Sequence, residues 1–201
     1  MSLKKKEFRL RSTESGQIGW TAGLWLILFM GCFLCALLQL DALRMSAQYL
    51  EDALAASNLA AAVIDVEEYG ISHRLQISDL QAARRRYETA VKGNLGLDES
   101  WECQNRGLIS GPVQIVNFTV YNVSGDEVEI HYFDENGVLS SSRGSLGQVR
   151  APNGVLIEST GIYSELRYHI TGFLGMETEA YKGKLADVKR TQEDEEAAGD
   201  A

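Results

Sequence analysis

Residues Ile18–Leu40 read IGWTAGLWLILFMGCFLCALLQL, 23 positions without a charge. At about 1.5 Å per helical residue the run extends roughly 34 Å, enough to cross a hydrocarbon layer ~30 Å thick. Trp20 and Trp25 stand toward its N-terminal end, where indoles favour the membrane interface. A cleaved signal peptide would carry an apolar region of only about 7–15 residues, followed by a small-x-small site. This run is longer, and no convincing site of that kind follows it. Phe29-Met30-Gly31-Cys32 has the outline of a lipidation box, but FLCALLQL follows the glycine and cysteine where a polar tether belongs. The run therefore reads as a retained membrane helix, with Cys32 and Cys35 as small apolar residues in it.

Working outward, the charges orient this helix. Residues 1–17 hold Lys4, Lys5, Lys6, Arg9 and Arg11 against Glu7 and Glu14, a net +3 within a chain of 201 residues and −9 overall. The dozen residues after Leu40 hold one base, Arg44. Lys and Arg accumulate on the cytoplasmic side, so residues 1–17 are expected in the cytoplasm and the remainder outside the cell membrane. The exported body carries −12, which disfavours nucleic acid as a partner. With 45% apolar residues the chain can fill a core, and its length suits one modest domain.

No Gly or Pro interrupts the interval between Cys32 and Tyr69, and Leu40, Leu43, Ala47, Leu50 and Leu54 recur at helical steps. The membrane helix is thus expected to run on as a stalk, 41–70, ending near Glu68 with Gly70 as its cap. Its small residues Ala53, Ala55, Ala56, Ser57, Ala60, Ala61 and Ala62 allow close approach either to the chain's own domain or to another helix. Ser78 with Gln81 has the spacing of a capping box and predicts a helix from Asp79 to about Lys92, ended by Asn94-Leu95-Gly96. Arg84, Arg85 and Arg86 on it read as a solvated face or, alternatively, as a patch for an anionic partner. Beyond Val113 the period becomes two. VQIVNFTVYNV (113–123), 128–132, 155–158, 162–171 and 181–188 read as three to five strands, with turns at Ser124-Gly125-Asp126, Glu135-Asn136-Gly137 and Asn153-Gly154. The expected fold class is α+β: an N-terminal transmembrane helix continuing as a long stalk helix, packed on a small antiparallel sheet. The expected parts are a leader (1–17), a membrane helix (18–40), the stalk (41–70), an extracytoplasmic domain (71–190) and an acidic disordered tail (191–201).

Little in the sequence points to a reaction. His73, His131 and His169 lack ligands at metal spacing, and no nucleophile elbow, phosphate loop or zinc-protease motif is present. His131 and His169 would meet only if their strands were neighbours. Cys103, alone in the exported part, is a small buried hydrophobe or a handle for an intermolecular bridge. Asn117-Phe-Thr and Asn122-Val-Ser match a glycosylation pattern but fall inside a predicted strand and read as coincidence. The expectation is a protein that is not an enzyme, with no cofactor and no metal. Its candidate functional residues are Gly19, Gly23 and Gly31, expected roughly along one stripe at which another membrane helix could approach.

The basic leader, apolar helix, amphipathic continuation and antiparallel sheet together resemble a type IV pilin or pseudopilin. Ser15-Gly16-Gln17 before the apolar run is similar to the start of TadE-like pseudopilins of tight-adherence (Tad/Flp) pilus systems. EDALAASNLAAAVIDVEEYG (51–70) resembles uncharacterised membrane proteins from Tad loci of Gram-positive anaerobes. The resemblance implies a minor pilus component or assembly factor whose partners are the membrane and pilin-like or pilus-assembly proteins, a second copy included. It also implies leader cleavage between Gly16 and Gln17. One position departs from the pilin pattern: Thr21 stands where processed pilins carry a glutamate, and the first acid of the helix is Asp41.

Overall fold

A computed structural model describes residues 7–104, 109–171 and 177–188; the tail 191–201 and leader residues 1–6 lie outside the described residues. Three helices precede five strands: α1 (Glu7–Ala61), α2 (Val66–Ser72), α3 (Leu80–Leu95), β1 (Ile109–Ser124), β2 (Glu127–Phe133), β3 (Leu139–Ser145), β4 (Gly161–Thr171) and β5 (Glu177–Asp187). The chain divides into two units, Met1–Arg44 and Met45–Ala201. The first is helical. The second is an α+β domain in which the last turns of α1 and all of α3 pack on one antiparallel sheet of order β3-β2-β1-β4-β5.

The packing of α1 follows from its periodicity. Leu50, Ala53, Leu54, Ser57, Asn58 and Ala61 are buried, one stripe at three- and four-residue steps, while Ala56, Leu59 and Ala60 face out. Ala53, Ser57 and Ala61 therefore serve the chain's own domain, with Ala62 packed at its margin. Both polar members of the stripe make hydrogen bonds, although the buried Asn58 Oδ1 has no partner among the described residues. The Ser57 hydroxyl donates to the Ala53 carbonyl at 2.7 Å, and the Asn94 amide donates to the Ser57 oxygen at 2.9 Å. The Asn58 amide donates to the Lys184 carbonyl at 2.8 Å, tying α1 to β5. Glu51, about two turns earlier, meets the ammonium groups of Lys182 and Lys184, each at 2.7 Å.

The stalk is shorter than the sequence suggests. α1 stops at Ala61, a non-helical stretch follows, and α2 starts afresh at Val66. No glycine is involved. Asp65 caps α2, its carboxylate accepting from the backbone N–H groups of Glu67 and Glu68, and those two acids complement the helix N-terminus. Gly70 lies inside α2, and His73 takes the left-handed cap position at φ 52°. The capping box at Ser78 is likewise replaced. Asp79 is the cap of α3, accepting from Ala82 N–H, and the Ser78 hydroxyl donates to Asp65. The far end behaves as expected, with Gly96 in the left-handed conformation after Leu95.

Phe118, Val120, Ile162, Leu166 and Tyr168 face the helices, where Tyr87 packs 4.9 Å from the Phe118 ring centroid. Arg84 does not belong to a solvated run. Its side chain is 11% exposed, its guanidinium lies 5.5 Å from the Phe118 centroid, and it pairs with Glu88 at 2.7 Å. Arg85 and Arg86 are exposed, as the solvated reading expects. On the sheet's opposite face Tyr121, Val128 and Tyr163 are covered by Ala151 and Ile157 of the long β3–β4 connection. That connection crosses from the edge of the sheet to its fourth position, and Val149 passes so close to β3 that only a glycine fits at 144. Two features of the strands differ from expectation. β1 starts at Ile109 rather than Val113, because a register shift around Gly111-Pro112 carries the strand past a proline. β3, LSSSRGS, has no hydrophobic alternation to reveal it and exists through its pairing with β2. Val155 to Glu158 forms no strand; Leu156 makes a single bridge to Arg150.

Candidate functional site

From Gly19 to Leu40 every residue of α1 is exposed in the single chain, Trp20 to 77% and Phe29 to 71%. Mean hydropathy reaches 2.3 over the most apolar 18 residues, and among the described residues this is the one helix long and apolar enough to cross a membrane. Burying a single Leu, Ile or Phe side chain is worth about 1.5–3 kcal/mol, so a helix exposing this many is suited to lipid or to another apolar surface. A Cβ built on Gly19, Gly23 or Gly31 meets no atom within 4 Å. Among the described residues no contact requires these glycines. Gly19 and Gly23 differ by about 40° around the helix and Gly31 by about 80° more. They follow the inclined i±4 row, with Ile27 between them, rather than one axial stripe. Helices meeting along such rows cross in the right-handed sense at roughly −40 to −50°. Gly16 and Gln17 lie within the helical backbone of α1.

Chemistry in the domain is sparse. Among the described residues no group of three or more His, Cys, Asp or Glu side chains could hold a metal. His131 and His169 do not meet. They stand on opposite faces of the sheet, His131 opposite Val120 and His169 opposite Ser110 of β1, ten residues apart. His131 Nδ1 is 2.9 Å from the Ser141 hydroxyl, and partial burial holds the ring below its ordinary pKa against the opposing pull of Glu129. The Cys103 thiol, half-buried, reaches the Leu95 carbonyl at 3.6 Å and packs against the main core. Asn122 is buried, and its amide both accepts from Ile77 N–H at 2.9 Å and donates to Ile77 C=O at 3.1 Å. That position is structural and closed to a glycan. Only the polar character of Asn inside a strand pattern hinted at it.

Two open clefts of about 530 Å³ remain. One lies between α3 and the start of β1, lined by Arg84, Glu88, Trp101, Gln114 and Glu135. Trp101 is held at φ 64°, with the Lys92 ammonium 5.2 Å from its ring centroid. The other lies at the end of the sheet, among His73, Arg74, Ser124, Glu158 and Thr160. Each mixes opposite charges around an aromatic or apolar floor, suited to weak polar recognition. No protein-family model, curated protein or solved structure matches the chain.

Proposed function

We propose that the protein is a single-pass membrane subunit of a pilus or secretion apparatus of the tight-adherence type, similar to a TadE-like minor pseudopilin. It acts by helix–helix assembly, not by catalysis. The N-terminal leader lies in the cytoplasm and the α+β domain outside the membrane. The observation that carries this reading is α1 itself. Its residues 19–40 are uncharged, predominantly apolar and exposed, and carry glycines that no contact among the described residues needs, while Leu50 to Ala61 of the same helix anchor the folded domain. Small residues let membrane helices touch backbone to backbone. Thr21 in place of a glutamate favours an assembly factor over a processed filament subunit, because no carboxylate is present there to neutralise a neighbour's terminal amine in lipid.

The test is crosslinking in native membranes with Gly19→Ile plus Gly23→Ile. The double variant makes the segment more apolar and leaves insertion intact, yet its crosslinks to pilin-like partners should disappear. Persistence of those crosslinks contradicts the assembly mechanism. A second reading, an extracytoplasmic adhesion or ligand-binding module on a membrane stalk, is favoured by the cleft holding Arg84 and Trp101. There a guanidinium N–H, Nη1, is buried without a hydrogen-bond acceptor among the described residues.

A further inference from the structure

β3 forms one edge of the sheet, and among the described residues no strand lies beyond it. Its pairing with β2 is unbroken over seven residues, Glu127–Phe133 against Leu139–Ser145. Two hydrogen bonds bracket that ladder, Asp134 N–H to Val138 O at 3.2 Å and Leu146 N–H to Asp126 O at 2.8 Å. Antiparallel pairs alternate between bonded and non-bonded, so Ser140, Ser142 and Gly144 bond to β2. Leu139, Ser141 and Arg143 therefore turn their N–H and C=O groups outward.

Sheet edges are ordinarily protected by lysines, proline, bulges or a covering element. The opposite edge, β5, carries Lys182 and Lys184, both gripped by Glu51. β3 has none of these devices. Its side chains are short and mostly exposed, its only charge is Arg143, and that charge is offset by Glu129 at 2.7 Å. Exposed Val138 and Leu139 stand at its start. In a chain of net charge −9 this is a flat, nearly neutral edge.

We propose that β3 pairs antiparallel with β3 of a second copy, about a two-fold axis through Ser141, joining two sheets into one. The strand is self-complementary in that register. Ser141 faces Ser141 of the other copy, and each Leu139 faces the other copy's Arg143. That gives three bonded pairs of two hydrogen bonds each, with the arginines held apart. A register centred on Arg143 would set two cations face to face, which is unfavourable. The contact is independent of the membrane helix.

The full-length chain carrying Cys32→Ser, Cys35→Ser and Cys103→Ser tests it, in membranes treated with a mild oxidant. Across a bonded pair the Cα atoms are about 5.5 Å apart, within the ~4.4–6.8 Å that a disulfide spans. Ser141→Cys should therefore give a covalent dimer. Arg143→Cys should not, since its counterpart lies four residues along the strand, roughly 14 Å away. The Ser141→Cys dimer should also persist when Gly19→Ile and Gly23→Ile are added, which separates this contact from helix assembly. Ser141→Pro removes an outward N–H at an edge, where proline is tolerated, so circular dichroism should stay unchanged while the solubilised dimer falls at least tenfold. No dimer from Ser141→Cys, equal dimer from Arg143→Cys, or a Ser141→Cys crosslink only to a different protein would each overturn the proposal.

Discussion

Asn122→Ala isolates the joint between the helical layer and the sheet. Asn122 is 5% exposed and Ile77 is 2% exposed, and the amide satisfies both main-chain polar groups of Ile77 from near the C-terminal end of β1. Truncation removes two hydrogen bonds and leaves a buried N–H and a buried C=O without partners. Stranding a buried group costs about 1–3 kcal/mol, so a loss of roughly 3 kcal/mol is expected. In a domain of this size that lowers Tm by about 6–12 °C. Asn122→Asp adds a sign test. At neutral pH the carboxylate still accepts from Ile77 N–H but repels the Ile77 carbonyl, so the loss should match or exceed that of alanine. The pKa of the introduced carboxyl is raised by its burial, so its neutral form persists well above pH 4. Protonated, the acid regains an O–H donor, and the gap from the wild type should narrow as pH falls. Urea unfolding of the full chain in detergent, followed by near-ultraviolet circular dichroism, reads both variants. A loss below about 1 kcal/mol for alanine, or a gap for Asp that ignores pH, would refute the account of this joint.

Gly161→Ala should lose about 1–3 kcal/mol in the same assay, since its Cβ would stand 2.6 Å from the Ala186 carbonyl oxygen; an unchanged midpoint contradicts that. Leu54→Ala, emptying a fully buried position where α1 meets the sheet, should cost about 2–5 kcal/mol. Hydrogen bonds from Lys182 and Lys184 hold the Glu51 carboxyl at about 2, below its ordinary 4.5. Its contribution to stability is thus complete above pH 4.5 and is lost as pH falls toward 2. Glu51→Gln should flatten the acid side of the Tm-against-pH curve, though not fully, because hydrogen bonds from Glu68 N–H and Ser78 also lower Asp65. Parallel curves for variant and wild type would contradict the Glu51 assignment.

The α+β layout was legible because its signals are long: an uncharged run of 23 residues, an i, i+3, i+4 stripe at Leu50 and Leu54, and alternation in 113–123 and 162–171. The misreadings have local physical causes. An absence of Gly and Pro suggested an unbroken stalk, but Asp65, with acids two and three residues on, offers a better helix start than continuation through Val63-Ile64. β3 was illegible because serines alternate with nothing; only its register against β2 makes it a strand. Arg84 looked solvated because three arginines in a row suggest water, and the aromatic pair Phe118 and Phe133 that draws it inward comes from strands far along the chain. The histidines could not be paired from sequence, since strand order and facing are tertiary facts. The glycines of the apolar run were visible at once; that no described residue occupies the space beside them needed the structure.

In the proposed topology the apolar helix crosses a membrane and leaves the α+β domain on the outer side. Asn136 lies exposed in the β2–β3 turn, away from the core and off the outward-facing positions of β3. Asn136→Cys, in a chain whose own cysteines are changed to serine, should be labelled by a membrane-impermeant maleimide in intact cells as fully as after lysis. Labelling that appears only after lysis would place the domain in the cytoplasm and contradict the account.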